Sequence, residues 1–278
     1  MQLFKYSWLV AALVSIASCS KDDGQLTANE VEGLTLVKTM DNNTHIIDVY
    51  TKNGRFETGY NEVFFQIKDQ NGNLINNATA NWTPVMQMMG MSHSCPASSV
   101  VKKSGASSTY TGFIIYQMAG NETEYWELTI NYIINNTDYS VTNKVDVSAS
   151  EERKVESFQG SDDKKYIIAL VQPVAPRVAI NDMTAVLFEM RSMMEFVVVD
   201  NYTIKIDPRM PGMNNHGSPN NVDLTQNAEK LYSGKLSLTM TGYWKINLQL
   251  FNQSNELIKG EAVTSENEGS SIYFETEF

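Results

Sequence analysis

The chain has 278 residues, 21 Lys+Arg against 32 Asp+Glu, and a formal net charge of −11. That balance repels nucleic acid, and no basic stripe offsets it. Three histidines and two cysteines argue against a multi-histidine zinc site, a catalytic triad or a disulfide framework.

Residues 1–18 have the form of a secretory signal. Lys5 supplies the basic start, and residues 8–16 are an apolar run too short for a stable span. Ile16-Ala17-Ser18-Cys19 resembles a bacterial lipobox, so cleavage before Cys19 leaves a thiol that can carry lipid. The alternative is a plain signal peptide with Cys19 unmodified. The following Ser20-Lys21-Asp22-Asp23 resembles the acidic export signals of Bacteroidetes surface lipoproteins. Residues 19–33 then form a polar tether. The expected location is the cell envelope, with the chain lipid-anchored to the outer membrane on its periplasmic or surface-exposed face. Lipid tethers a body that need not itself span the membrane.

From residue 34 onward alternation dominates. Residues 44–50 and 62–68 are predicted strands around the turn signals Asn53-Gly54 and Gly59, and residues 69–73 are a hairpin turn signal. A motif rich in soft donors follows: Pro84, Met86, Met88, Met89, Met91, His93, Cys95 and Pro96, predicted to lie on a loop after a strand. Strands are predicted at 111–117, 124–134 and 138–147, closing a first unit at 34–148. Polar, charged residues 149–163 are the expected linker. The second unit, 164–278, has predicted strands at 166–171, 186–190, 194–199, 202–206, 235–241, 244–251, 257–263 and 272–278.

The second unit repeats the first. Pro208, Met210, Met213, His216 and Pro219 follow the same Pro-x-Met-x-x-Met, His, x-x-Pro pattern as Pro84, Met86, Met89, His93 and Pro96. Downstream, Tyr110-x-Gly112, Met118-x-Gly120 and Trp126 match Tyr232-x-Gly234, Met240-x-Gly242 and Trp244, allowing one-residue shifts and a short insertion near Asn121. No helix of three turns is evident. The predicted fold is all-β: two tandem Ig-like antiparallel β-sandwich domains after a signal peptide and short tether, each unit long enough to bury a core.

The ordered positions of this repeat resemble the YtkA-like and FixH-like domains, small β-sandwiches of bacterial envelope proteins that are often linked to copper. Asn61 and Asn181 fit an early strand position, and the motifs at Met86, Met89, His93 and Met210, Met213, His216 fit the central one. Met118 and Met240 fit a later one. The first unit departs from the pattern by its extra Met88 and Met91 and by a longer Gly-to-Trp spacing.

Thioether beside imidazole is a donor set suited to Cu(I), and thioether sulfur binds without proton competition. The candidate metal ligands are Met86, Met89, Met91, His93, Cys95 and Met118 in the first unit, and Met210, Met213, His216 and Met240 in the second. Cys95 reads either as a soft ligand or as a small buried hydrophobe, and Ser218 replaces it in the second copy. Met183, Met190, Met193 and Met194 read as packing residues, His45 as structural, and Trp126 and Trp244 as core. No Cys-x-x-Cys, His-Glu-x-x-His, phosphate loop or Gly-x-Ser-x-Gly occurs. The expected function is therefore a non-catalytic copper carrier, chaperone or sensor at the membrane. Its expected partners are a copper exporter or an oxidase-assembly protein. The rival is a structural or adhesive Ig-like surface lipoprotein without metal.

Overall fold

The computed structural model describes residues 29–278; the signal, Cys19 and most of the tether lie outside them. The chain is all-β. The first half contains β1 (Thr35–Asp41), β2 (His45–Thr51), β3 (Phe56–Glu57), β4 (Gly59–Asp69), β5 (Thr79–Met88) and β6 (Met91–Ser94), then β7 (Val101–Lys102), β8 (Thr109–Tyr116), β9 (Tyr125–Ile134), β10 (Thr137–Val145) and β11 (Val147–Ser148). The second contains β12 (Val155–Gln159), β13 (Lys165–Gln172), β14 (Ala179–Ser192), β15 (Glu195–Val198) and β16 (Thr203–Met210). One 3₁₀ turn (Pro211–Met213) leads to β17 (His216–Gly217), β18 (Val222–Gln226), β19 (Tyr232–Leu238), β20 (Tyr243–Phe251), β21 (Leu257–Lys259) and β22 (Tyr273–Glu277).

In the first half a five-stranded sheet, β1-β2-β4-β8-β7, faces a four-stranded sheet, β10-β9-β5-β6. Alternation drives this packing. In β9 every second residue, Trp126, Leu128, Ile130 and Tyr132, is buried between the sheets. The second half repeats the order: β12-β13-β14-β19-β18 corresponds to β1-β2-β4-β8-β7, and β20-β16-β17 to β9-β5-β6. Here β18 pairs with both β19 and β16, so the two layers join along one edge. Each half has its own core, one around Trp126 and the other around Trp244. A smaller apolar cluster lies between them: Ile115 of β8 against Ile167, Ala169, Val186 and Phe188 of β13 and β14.

Three hydrogen-bond locks occur twice, and they account for much of the sequence repeat. Asn61 and Asn181 are buried, and each closes the backbone ahead of it. Asn61 accepts from Glu57 N–H and donates to Glu57 and Gly59 carbonyls; Asn181 does the same with Arg177 and Ala179. The Tyr110 and Tyr232 hydroxyls each donate over 2.8 Å to a backbone carbonyl preceding a strand of the opposite layer, Ala78 and Val199. Trp126 Nε1 donates to Met118 O at 2.9 Å, and Trp244 Nε1 to Met240 O at 3.0 Å. Gly112 and Gly234 stand where a Cβ would collide, with Ser98 and Trp82 in one half and Val222 and Asp223 carbonyls in the other.

Two boundaries differ from the sequence reading. The expected linker 149–163 contains β12, an edge strand paired with β13 from Val155↔Ala169 to Gln159↔Lys165. None of its five residues is buried, so it lacks the alternation that marks a half-buried strand. The tether, expected to run freely to residue 33, is docked from Glu30. That carboxylate accepts five hydrogen bonds from the turn before β8, given by the N–H and Oγ of Ser107 and Ser108 and by Thr109 Oγ1. Lys103 Nζ also donates to its carbonyl. Burial alone would raise the Glu30 pKa, but these bonds outweigh it and draw the group from 4.5 to about 2.

A depressed carboxylate stabilises above its unfolded pKa, and that stability is lost as pH falls through the folded value. The tether latch should therefore hold at neutral pH and weaken as pH falls from 4.5 towards about 2. Limited proteolysis across pH checks this. Wild type should resist cleavage near residue 30 better than Glu30→Gln at neutral pH, with the difference closing in acid. A difference that does not change with pH contradicts the latch.

Candidate metal-binding hairpins

The first motif is not a loop. It is the β5–β6 hairpin, turning at Met89-Gly90, with Gly90 at φ 82°. Its register pairs Met86 with His93 and Met88 with Met91. Cross-strand partners share a face, as do residues two apart on one strand. Met86, Met88, Met91 and His93 therefore lie together on the face turned towards the opposing sheet. Met86 is fully buried, Met88 partly buried and His93 9% exposed, while Met91 is 54% exposed near the open end. Met89, at the tip, is 90% exposed and stands apart from that face.

Pro84 fits this strand because β6 stops at Ser94, opposite Val85. Its carbonyl accepts from Ser94 Oγ, and no ladder partner on that side requires an N–H from it.

His93 is oriented by its surroundings. Its Nδ1 lies 2.9 Å from Ser94 O, a group that only accepts, so Nδ1 carries the proton and Nε2 keeps its lone pair. The ring meets Trp126 edge-on at 5.4 Å. Trp126 also pairs with Met86 across β5–β9 and holds Met118 through its carbonyl. Met118 is thereby brought to the same end of the sandwich with its side chain 39% exposed.

Cys95 stands apart from the other candidate ligands. It is 3% exposed within the first core, and burial pushes its thiol well above the ordinary range, against a hydrogen bond from Ile115 N–H that lowers it. Protonated and enclosed, it behaves as the small hydrophobe of the two sequence alternatives.

The second motif forms a similar hairpin, β16–β17, with Met210 paired to His216 and Arg209 to Gly217. The connection is the 3₁₀ turn followed by Asn214 and Asn215, both with positive φ. Met210 is 4% exposed and inside the second core; Met213 is 51% exposed and His216 is exposed. Met240 packs partly buried on the same core, and its carbonyl is the acceptor for Trp244. Arg209 spans to Asp207 through two hydrogen bonds and lies under Gly217. This hairpin brings fewer soft donors to one face than the first.

His45 is buried, with Nδ1 3.1 Å from the Tyr132 hydroxyl and its ring edge-on to Tyr139. Burial lowers its pKa, against the raising influence of Asp69. Met183 is fully buried in the second core, and Met190 packs into the cluster between the halves. Met193 and Met194, read from sequence as packing residues, are instead 42% and 53% exposed at the β14–β15 turn. Among the described residues no group of three or more His, Cys, Asp or Glu is placed to hold a metal ion, so a metal site there would draw on thioethers. No helix among them is long and apolar enough to cross a membrane.

No family model matches the chain, and none of the curated proteins compared with it does. Among solved structures it is similar to FdeC, an Escherichia coli adhesin, at 13% identity and a TM-score of 0.24, covering 78% of this chain and 77% of that one. It is also similar to a DUF4785 family protein from Legionella pneumophila, at 9% identity and a TM-score of 0.25, covering 77% of this chain and 55% of that one. At these scores neither neighbour bears on function.

Proposed function

We propose that this chain is a non-catalytic envelope lipoprotein, tethered through Cys19, that binds Cu(I) at its two methionine–histidine hairpins. One observation carries the reading: Met86, Met88, Met91 and His93 share one face of one hairpin, with the imidazole Nε2 lone pair left free. Cu(I) accepts two to four soft ligands, and this donor set fits it in kind. The Met210–His216 pair repeats the arrangement. Met118 and Met240, from the segment before the tryptophan strand, stand at the same end of each sandwich. The thioether donors carry no proton at ordinary pH, so their binding releases none, and moderate affinity suits a carrier that hands its metal on. The resemblance to YtkA-like and FixH-like domains supports the same reading from sequence.

The test is an anaerobic competition titration of the full mature chain with Cu(I) against a chromophoric chelator. The expected result is retention of copper, reduced when His93→Ala and His216→Ala are combined. Retention no greater than for a sandwich protein lacking the motifs overturns the reading.

The second reading, a structural or adhesive surface protein without metal, draws on different observations. Met86, His93 and Met210 are all buried among core side chains, and the tryptophan locks act through methionine carbonyls, not sulfurs. The buried repeated positions then serve packing. In that case the histidine variants leave copper uptake unchanged and shift only stability.

A further inference from the structure

We infer that the first hairpin's metal site is shared between the two halves of the chain, with Met193 and Met194 as its second-half donors. The inference rests on the Cu(I) reading above and adds residues to that site.

β6 is the edge strand of its sheet, so its outer N–H groups have no ladder partner. One of them is capped from the second half: Ser94 N donates to Met193 O at 2.8 Å. Ser94 directly follows His93. Covalent geometry then limits the His93 and Met193 Cα atoms to within about 8 Å of each other, a gap that two long side chains can close.

The capping turn is itself anomalous. Ser192 pairs with Glu195, leaving Met193-Met194 as a two-residue hairpin loop. Such loops favour Gly, Asn and Asp, and methionine brings no advantage in backbone geometry there. Both methionines are substantially exposed, so core packing does not account for them either. A local preference broken without a packing gain points to a role for the side chains. That role has a neighbour at hand, since Met91 is 54% exposed on the capped strand, two residues before His93.

The turn is held in place from below. Ile115, Ile167, Ala169, Val186 and Phe188 form the buried cluster between the halves, and Phe113 meets Phe188 at 6.4 Å. β14, which carries the turn, contributes Val186 and Phe188 to that cluster. Among the described residues the second hairpin shows no comparable cap, and its His216 is exposed. Sharing thus distinguishes the first site from the second.

The experiment uses the full mature chain in a Met213→Leu, His216→Ala background, so that the first site dominates. Met193→Leu with Met194→Leu keeps apolar volume and removes both sulfurs, and Met190→Leu serves as the control. Cu(I) affinity is read by chelator competition, and the sulfur count by copper X-ray absorption. The double variant should bind at least about tenfold more weakly, with fewer sulfur neighbours, while Met190→Leu matches the parent. Unchanged affinity and sulfur count in the double variant, with binding still lost in His93→Ala, overturns the shared site and leaves the Cu(I) reading standing. Failure of the parent itself to bind Cu(I) overturns both.

Discussion

Trp126→Ala should destabilise the protein by about 3–5 kcal/mol, the usual cost of removing a large aromatic side chain from a packed core. Trp126 is fully buried, packs edge-on against Tyr116 at 4.9 Å and His93 at 5.4 Å, and pairs with Met86 on the neighbouring strand. Its indole N–H is also the partner of the Met118 carbonyl. Truncation opens a cavity beside the hairpin and leaves a polar group unpaired. Against a typical total stability of about 5–15 kcal/mol, that brings the first half close to unfolding at ambient temperature. Trp126→Phe retains most of the volume, loses the hydrogen bond and should fall between the two. Urea denaturation followed by far-UV circular dichroism measures the series. A loss below about 1 kcal/mol for Trp126→Ala would mean that the lock carries little of the core's stability.

The second large effect separates the two hairpins. His93→Ala should weaken Cu(I) binding far more than His216→Ala. Perturbing the shell around a metal ligand costs about 10–100-fold in affinity, and losing the ligand itself from the better-formed site belongs at the upper end or beyond. The first hairpin sets Met86, Met88 and Met91 on the same face as a histidine oriented by Ser94 O. The second offers Met210 beside an exposed His216, with Met213 on a turn bearing two left-handed asparagines. Cys95→Ser should leave Cu(I) affinity and its pH dependence unchanged, because the thiol is buried and protonated. Equal losses for the two histidine variants would contradict this ranking. A pH dependence abolished by Cys95→Ser would restore the thiolate as a ligand.

Much of the architecture was legible because it rests on alternation and repetition. Strands such as β2 and β9 bury every second residue for most of their length, which is the signal the eye finds in sequence. The repeated Tyr-x-Gly, Met-x-Gly and Trp positions were also visible, although their hydrogen-bond partners were not. Those partners are backbone carbonyls of Ala78, Val199, Met118 and Met240, and a carbonyl leaves no trace in residue identity.

Other features were hidden for physical reasons. β5 contains Pro84 and two closely spaced methionines, a loop-like composition, yet it is a strand, because β6 ends where the proline falls. β12 is a short edge strand with no buried face, so it resembles a linker. Met193 and Met194 are exposed because they form the two-residue loop between β14 and β15, a turn that carries none of the usual Gly, Asn or Asp signal. The burial of Cys95 had the opposite difficulty: a small core residue and a soft ligand look alike until the neighbours are in place.

The central claim, that the face carrying Met86, Met88, Met91 and His93 is a Cu(I) site, meets its most direct test in copper K-edge X-ray absorption of the full mature chain loaded anaerobically with Cu(I). The account predicts a spectrum of mixed sulfur and imidazole nitrogen scatterers, with the imidazole contribution falling in His93→Ala. Copper that washes away, or a light-atom shell with no sulfur that is indifferent to His93→Ala, would contradict it.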